Sequence, residues 1–234
     1  MNIDWVSAAW IYVVFVVSTT LHEAAHAWVA WKFGDDTAHR GGQVSLDPTP
    51  HIRRSPVGMV VIPLVTLFTS GFLIGWASTP YNPQWAMTFP RRSALMSLAG
   101  PASNLLLVLL AVAGMFVGTR LGGMEVMVSP DSHVNMTGVA GALQGGVWPF
   151  AATLLSVLFS LNLLLAVLNL MPIPPFDGAA LPMLVLSDES SRRFLLWRQR
   201  SGGAMSLIGL LVIYKCFWYI FDPVWKTAVG LLQF

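Results

Sequence analysis

The sequence predicts an all-α polytopic membrane protein. It would have about four full transmembrane helices, one re-entrant or additional hydrophobic segment, and a small β-hairpin element after the first helix. Three observations carry this expectation. First, 55% of the 234 residues are apolar and only 10% are charged, well below the roughly 25% of charged residues in a soluble domain. Second, the apolar residues fall in long blocks. Residues 59–77, 94–118, 149–171 and 204–221 each approach or exceed the roughly 20 that cross a hydrocarbon core. Third, a block of similar length at residues 5–31 carries His22, Glu23 and His26 near its middle. A soluble core of this size would break such runs with polar faces.

Four polar stretches separate the blocks. Residues 34–58 read as a short sheet or hairpin, with Gly41-Gly42 and Asp47-Pro48 as turn signals. Residues 78–92 contain Pro80, Asn82, Pro83 and Pro90 and read as an ordered loop. Residues 119–148 are Gly-rich and weakly hydrophobic, with an interfacial piece expected near their end. Residues 178–203 begin apolar and end basic, at Arg192, Arg193, Arg198 and Arg200. Trp and Tyr near the block ends suit the membrane interface. The single Cys216 rules out an internal disulfide and a cysteine-based zinc site, and reads as an apolar filler. The N-terminus has no basic region or small-residue cleavage site, so no removable signal peptide is expected. A net charge of +2 without a basic run gives no sign of a nucleic-acid partner.

The strongest chemical signal is His22-Glu23-Ala24-Ala25-His26. Positions i and i+4 share a helix face. Both imidazoles can therefore bind one Zn²⁺, and Glu23 is placed to take a proton from a water on the metal. Ala24 and Ala25 leave space beside it. Ionisable residues inside an apolar helix are costly and usually functional, which favours a metal site over a chance match.

A catalytic zinc needs a third protein ligand and an open position. With cysteine set aside, the candidates are His39, His51, His133 and the carboxylates. Of these Asp177 is the best placed, because it closes the run 169–178, NLMPIPPFDG, at the end of an apolar block. Pro172, Pro174 and Pro175 cannot continue a regular helix, and broken backbone at membrane depth is tolerated where it lines a cavity. From spacing alone, Asp177 reads equally as a ligand or as the turn residue of a helix stop. The histidines at 39, 51 and 133 lie in polar stretches, where solvated or loop-anchoring roles are expected.

HEAAH together with NLMPIPPFDG resembles the site-2 protease family of intramembrane zinc metalloproteases. Ala99-Gly100-Pro101-Ala102-Ser103-Asn104 resembles the family's AGPxxN element. Gly75-Trp76-Ala77 with Pro80-Tyr81-Asn82-Pro83 is similar to a GWAKPVPVNP loop of a compact branch without PDZ or CBS domains, as is the stretch from Val44 to Ile52. Ser78-Thr79 departs from that loop's Lys-Pro. The resemblance covers about residues 21–178. It implies that His22, His26 and Asp177 hold Zn²⁺ and that Glu23 is the general base. It further implies that Asn169 and Asn104 orient substrate or stabilise the oxyanion; interhelical hydrogen bonding is the other reading of Asn104. One membrane-embedded domain is expected over residues 1–234, with its catalytic core at about 5–178 and a C-terminal helix at about 204–221.

These readings predict a zinc metalloendopeptidase of the lipid bilayer acting on a transmembrane protein substrate. It would reside in a prokaryotic plasma membrane with its site toward the cytoplasm. A homo-oligomer or a regulatory membrane partner is also expected, since no regulatory domain is seen. A non-catalytic scaffold of the same fold and a transporter with broken helices are the competing classes.

Topology follows from two constraints. Asp177 can reach the histidines most simply if blocks 5–31 and 149–171 run parallel, so one intervening block must fail to cross. Residues 59–77, with Pro63, Gly71 and Gly75 to bend them, are the candidate. A re-entrant 59–77 with the N-terminus outside gathers Lys32, Arg40, the pairs Arg53-Arg54 and Arg91-Arg92, and the four arginines of 192–200 on the cytoplasmic side. It leaves Arg120, Lys215 and Lys226 opposite, as the positive-inside rule prefers. A crossing hidden within 119–148 would restore parity equally well.

Overall fold

A computed structural model describes residues 5–128 and 134–233. Helix α1, Trp5–Lys32, is 28 residues long, roughly 42 Å at 1.5 Å per residue. Its end is set by Gly34, with φ of 100°. The Asp35 N–H donates to the Ala30 carbonyl at 2.9 Å and the Gly34 N–H to Trp31 at 3.1 Å, the two bonds of a Schellman cap.

The stretch 34–58, expected as a sheet or hairpin, instead folds into two short helices, α2 (Thr37–Arg40) and α3 (Pro48–Arg54). The cause is legible in Asp47-Pro48. The Asp47 carboxylate accepts from the Thr49 N–H at 2.8 Å and Pro48 occupies the first helical turn. A cap followed by proline starts a helix with the same residues that would make a turn. His51 is buried and hydrogen-bonds the Ser45 carbonyl through Nε2 at 3.0 Å. His39 stacks on Trp31, with centroids 4.5 Å apart. Both are loop anchors, as expected, whereas His133 lies outside the described residues.

The block 59–77 forms a hairpin of helix and extended chain. A π-helical turn at Val57–Val61 runs into α4, Ile62–Ser70, lying at 109° to α3. Gly71, with φ of 73°, reverses the chain, and residues 72–82 return without helix. The two ends meet: the Trp76 N–H donates to the Gly58 carbonyl at 3.0 Å. Arg54 Nε donates to the Ser78 carbonyl at 3.0 Å just beyond. The two ends of the segment therefore lie side by side, as a re-entrant segment requires.

Several polar backbone groups of the hairpin find partners within the chain, as hydrocarbon demands. Pro63 has no N–H to give the Met59 carbonyl four residues back, and the Tyr12 hydroxyl of α1 donates to that carbonyl at 3.3 Å. The Ile74 N–H donates to Thr66 Oγ at 3.1 Å. Close approach requires glycine at 58 and 75, since a Cβ would collide with the Trp76 carbonyl or the Phe15 ring. The hairpin predicts that single cysteines at Arg53 and Ser78, both exposed, label from the same side of the membrane in a Cys216→Ser background. Labelling from opposite sides would show a span.

After α5 (Pro83–Thr88, capped by Asn82) comes α6, Pro90–Arg120, 31 residues long. It packs against α1 and against α7, Trp148–Asn169. Between α6 and α7 lies the two-stranded sheet. Strands β1 (Met124–Val126) and β2 (Ala140–Ala142) pair antiparallel with Glu125 opposite Gly141. The small sheet thus follows the first helices, later than residues 34–58. Among the described residues of 119–148 no helix is long enough to cross, so parity is restored by the hairpin alone.

A 3₁₀ segment, Asp177–Leu184, precedes α8, Asp188–Gly230. At 43 residues, α8 extends beyond the expected 204–221 in both directions. Roughly 64 Å of helix exceeds a ~30 Å hydrocarbon core, and its first turns carry the four arginines. The helix starts early because Ser187 caps it, accepting from the Ser190 N–H.

Among the described residues four helices, α1, α6, α7 and α8, are long and apolar enough to cross a membrane. The main core gathers Met115, Phe159, Phe221 and Trp225 from α6, α7 and α8. A second cluster joins Val14 and Phe15 of α1 to Val157 of α7. Further along, Asn162 of α7 bonds Ser18, and Asp177 meets His22. Contacts that ascend together in both helices mean that α1 and α7 run parallel, as the sequence required.

Candidate metal centre

Helix α1 buries His22, Glu23 and His26 together, each under 8% exposed. The histidines share a face, and their Nε2 atoms lie 3.0 Å apart. Asp177 arrives from the turn after α7, its Oδ2 at 3.1 Å from His22 Nε2 and 3.3 Å from His26 Nε2. Three ligand atoms from positions 155 residues apart thus close a triangle about 3 Å on a side. Among the described residues this is the one cluster of three His, Cys, Asp or Glu with converging ligand atoms.

The triangle fits zinc. An ion at ~2.0–2.2 Å from two imidazole nitrogens and one carboxylate oxygen sits just above a triangle of that size, with a fourth position free. Hydrogen bonds behind the imidazoles point the same way. His26 Nδ1 faces the Met96 carbonyl at 2.7 Å. A carbonyl only accepts, so that nitrogen carries the proton and Nε2 presents its lone pair. His22 Nδ1 lies 2.6 Å from Asn104 Oδ1, with the same consequence. Without a cation, two lone pairs would face each other and a carboxylate. Glycine at 100 is required, because a Cβ there would collide with both Nε2 atoms.

Glu23 turns its carboxylate into a cavity of about 170 Å³ that it shares with His26, Asp177, Thr79, Tyr81 and Arg198. Thr79, on the return limb of the hairpin, donates its hydroxyl to Glu23 Oε2 at 2.7 Å. One carboxylate oxygen is thereby fixed. The limb itself is tied down by Arg54 at Ser78 and by Asp35, whose Oδ2 accepts from the Asn82 N–H at 2.7 Å.

The two asparagines singled out in the sequence sit elsewhere. Asn104 is fully buried behind His22, and its Nδ2 donates to Asn162 Oδ1 at 2.8 Å. Asn169 donates to the Leu165 carbonyl of its own helix at 3.0 Å. Neither lines the cavity. Thr79 and Asn162 were missed by the sequence reading. The signal for Asn162 was an uncompensated amide in the middle of an apolar span, costly there unless bonded. For Thr79 the signal was its departure from the Lys-Pro of the resembling loop.

The fold is that of a helical membrane protein and the site is a candidate metal centre, and comparison with known proteins gives the family. The model described as Peptidase family M50 matches residues 10–213, and the chain belongs to this family, that of the site-2 proteases. It is 36% identical over 172 residues to the protein named "Putative zinc metalloprotease YwhC" of Bacillus subtilis, covering 72% of this chain and 65% of that one. It is 33% identical over 200 residues to "Putative zinc metalloprotease Rip2" of Mycobacterium tuberculosis, covering 86% and 64%. The Rip2 of Mycolicibacterium smegmatis is 28% identical over 178 residues, 76% and 58%. The chain therefore spans under two thirds of the length of these relatives. No solved structure matches it.

Proposed function

We propose that this protein is an intramembrane zinc endopeptidase that hydrolyses peptide bonds in or near transmembrane segments of other membrane proteins. The observation that carries the reading is the convergence of His22, His26 and Asp177 beside a Glu23 that faces a cavity. In this reading His22, His26 and Asp177 hold the ion. Zinc held there would supply Lewis acidity for a peptide carbonyl and would lower the pKa of water to about 7. Glu23 accepts the proton of the attacking water and delivers it to the leaving amine. The Thr79 hydroxyl, by occupying Oε2, leaves Oε1 for that proton. Asn104 holds the His22 imidazole in place.

The substrate follows from the location. The cavity is lined by residues of the membrane-long helices α1, α6 and α8, which supports a substrate peptide presented from the bilayer. A helix shields its own backbone by internal hydrogen bonds, and a scissile bond must first unwind. Substrates with helix-weakening residues near the cut are favoured. The arginines of α8 and of the loops around the site support a site facing the cytoplasm, and the proposed location is a prokaryotic plasma membrane. A regulatory membrane partner or a second copy of the chain belongs to the same proposal.

The test is cleavage of a transmembrane substrate by the purified protein in detergent, with candidates taken from membrane proteins that accumulate uncut when Glu23→Gln replaces the wild type. Cleavage is expected to stop with a zinc chelator and return with added zinc. Cleavage that persists through complete metal removal would overturn the reading.

A further inference from the structure

We infer that Asn162 is a positioning residue for the metal centre: it fixes which way the Asn104 amide points, and through it the tautomer of His22. The inference rests on the metal-site reading above and adds to it a residue of α7 that does not line the cavity.

A side-chain amide has two ends, an acceptor oxygen and a donor nitrogen, and it can flip between them. Only a partner of fixed polarity decides the matter. The chain of bonds behind His22 begins at such a partner. Asn162 Nδ2 lies 2.8 Å from the Leu158 carbonyl of α7, which can only accept. That end of Asn162 must therefore be the donor, and its Oδ1 must face the other way. There it accepts from Asn104 Nδ2 at 2.8 Å. Asn104 in turn presents Oδ1 to His22 Nδ1 at 2.6 Å, so Nδ1 carries the proton and Nε2 keeps its lone pair for the ion. Ser18 Oγ accepts a second bond from Asn162 Nδ2 at 2.9 Å. A hydroxyl can donate or accept, so Ser18 adds a bond without deciding the direction.

Asn104 and Asn162 are both fully buried, so no water is at hand to take over either role. Removing Asn162 frees Asn104 to turn its amino group toward His22. That flip would have Nδ1 accept, move the proton to Nε2, and set it where the ion belongs. Loss of an outer partner of a metal-bound histidine typically weakens metal binding 10- to 100-fold.

The test is zinc affinity of the full chain in detergent, measured by competition with a chromophoric chelator and so independent of proteolysis. Asn162→Leu is expected to weaken zinc by roughly 10-fold or more. Ser18→Ala is expected to leave it unchanged. The deciding variant is Asn104→Asp placed in the Asn162→Leu background. A carboxylate accepts at both oxygens and cannot flip to a donor, so it needs no partner to aim it. Zinc affinity is expected to return to within a few-fold of wild type. If Asn162 merely filled space, the cavity and packing defects would remain in the double variant and affinity would stay low. Failure of rescue, or unchanged affinity in Asn162→Leu, overturns the inference. Where Asn162→Leu does not fold, Asn162→Ala with the same second substitution gives the same reading. Loss of the metal-site reading itself would show differently, as zinc content indifferent to His22→Ala and His26→Ala together.

Discussion

Glu23→Gln is expected to retain zinc and to lose cleavage by roughly 10²–10⁴-fold, the usual contribution of a positioned general base. Geometry separates the two effects. The Glu23 side chain is not part of the triangle formed by His22, His26 and Asp177, so exchanging its carboxylate for an amide leaves the ligands intact. Gln keeps the length and shape of the side chain, and its oxygen can still accept from Thr79, which now bonds Glu23 at 2.7 Å. What it lacks is the second oxygen able to take a proton. The deficit should therefore fall on kcat, with KM little changed. The measurement is turnover and zinc content on the same preparation. Turnover comparable to wild type, with contaminating protease excluded, would remove Glu23 from the assigned role. Loss of zinc along with activity would show instead that position 23 supports the ion.

Local chemistry was legible in the sequence, and so was its coarse topology. The pair His22 and His26 could be read because helical periodicity places i and i+4 together whatever the rest of the chain does. The hairpin at 59–77 could be read because parity and the positions of arginines constrain the whole chain at once. Its bend is marked by Gly71 and Pro63, although no rule of spacing announced that Tyr12 would serve the carbonyl Pro63 leaves free. Residues 34–58 were misread because Asp47-Pro48 signals a turn and a helix start alike, and the capping bond from the Thr49 N–H to Asp47 shows itself only in the fold. The length of α8 was missed because the hydropathy block begins only after Arg200, whereas the helix already runs from Asp188. Asn162 was passed over because its partners lie 58 residues away at Asn104 and 144 away at Ser18. Contacts of that range have no local signature.

Asp177 is where sequence alone left two readings open, and there the largest loss is expected. Asp177→Ala removes one of three ligands from a centre whose remaining two are neutral imidazoles, so affinity falls and with it the charge balance of the site. Zinc at about one per chain in the wild type should drop to a small fraction after dialysis, and cleavage should fall on the order of 10³-fold or more, since members of a catalytic unit fail together. For the same reason His22→Ala added to Asp177→Ala should cost little further activity. Nearly additive losses would mean that the two residues act independently, contrary to their 3.1 Å approach. Folding must be held apart from chemistry, because the Asp177 turn packs closely. Gly178 leaves no room for a Cβ beside the Leu170 carbonyl, and Gly209 of α8 abuts the Pro174 carbonyl. Asp177→Asn is the cleaner variant on that account. It preserves volume and one oxygen while removing the charge, so it should keep the fold, weaken zinc, and regain activity as zinc is raised. A variant that binds zinc as tightly as wild type would reduce Asp177 to the turn residue that its Asp-Gly sequence equally allowed.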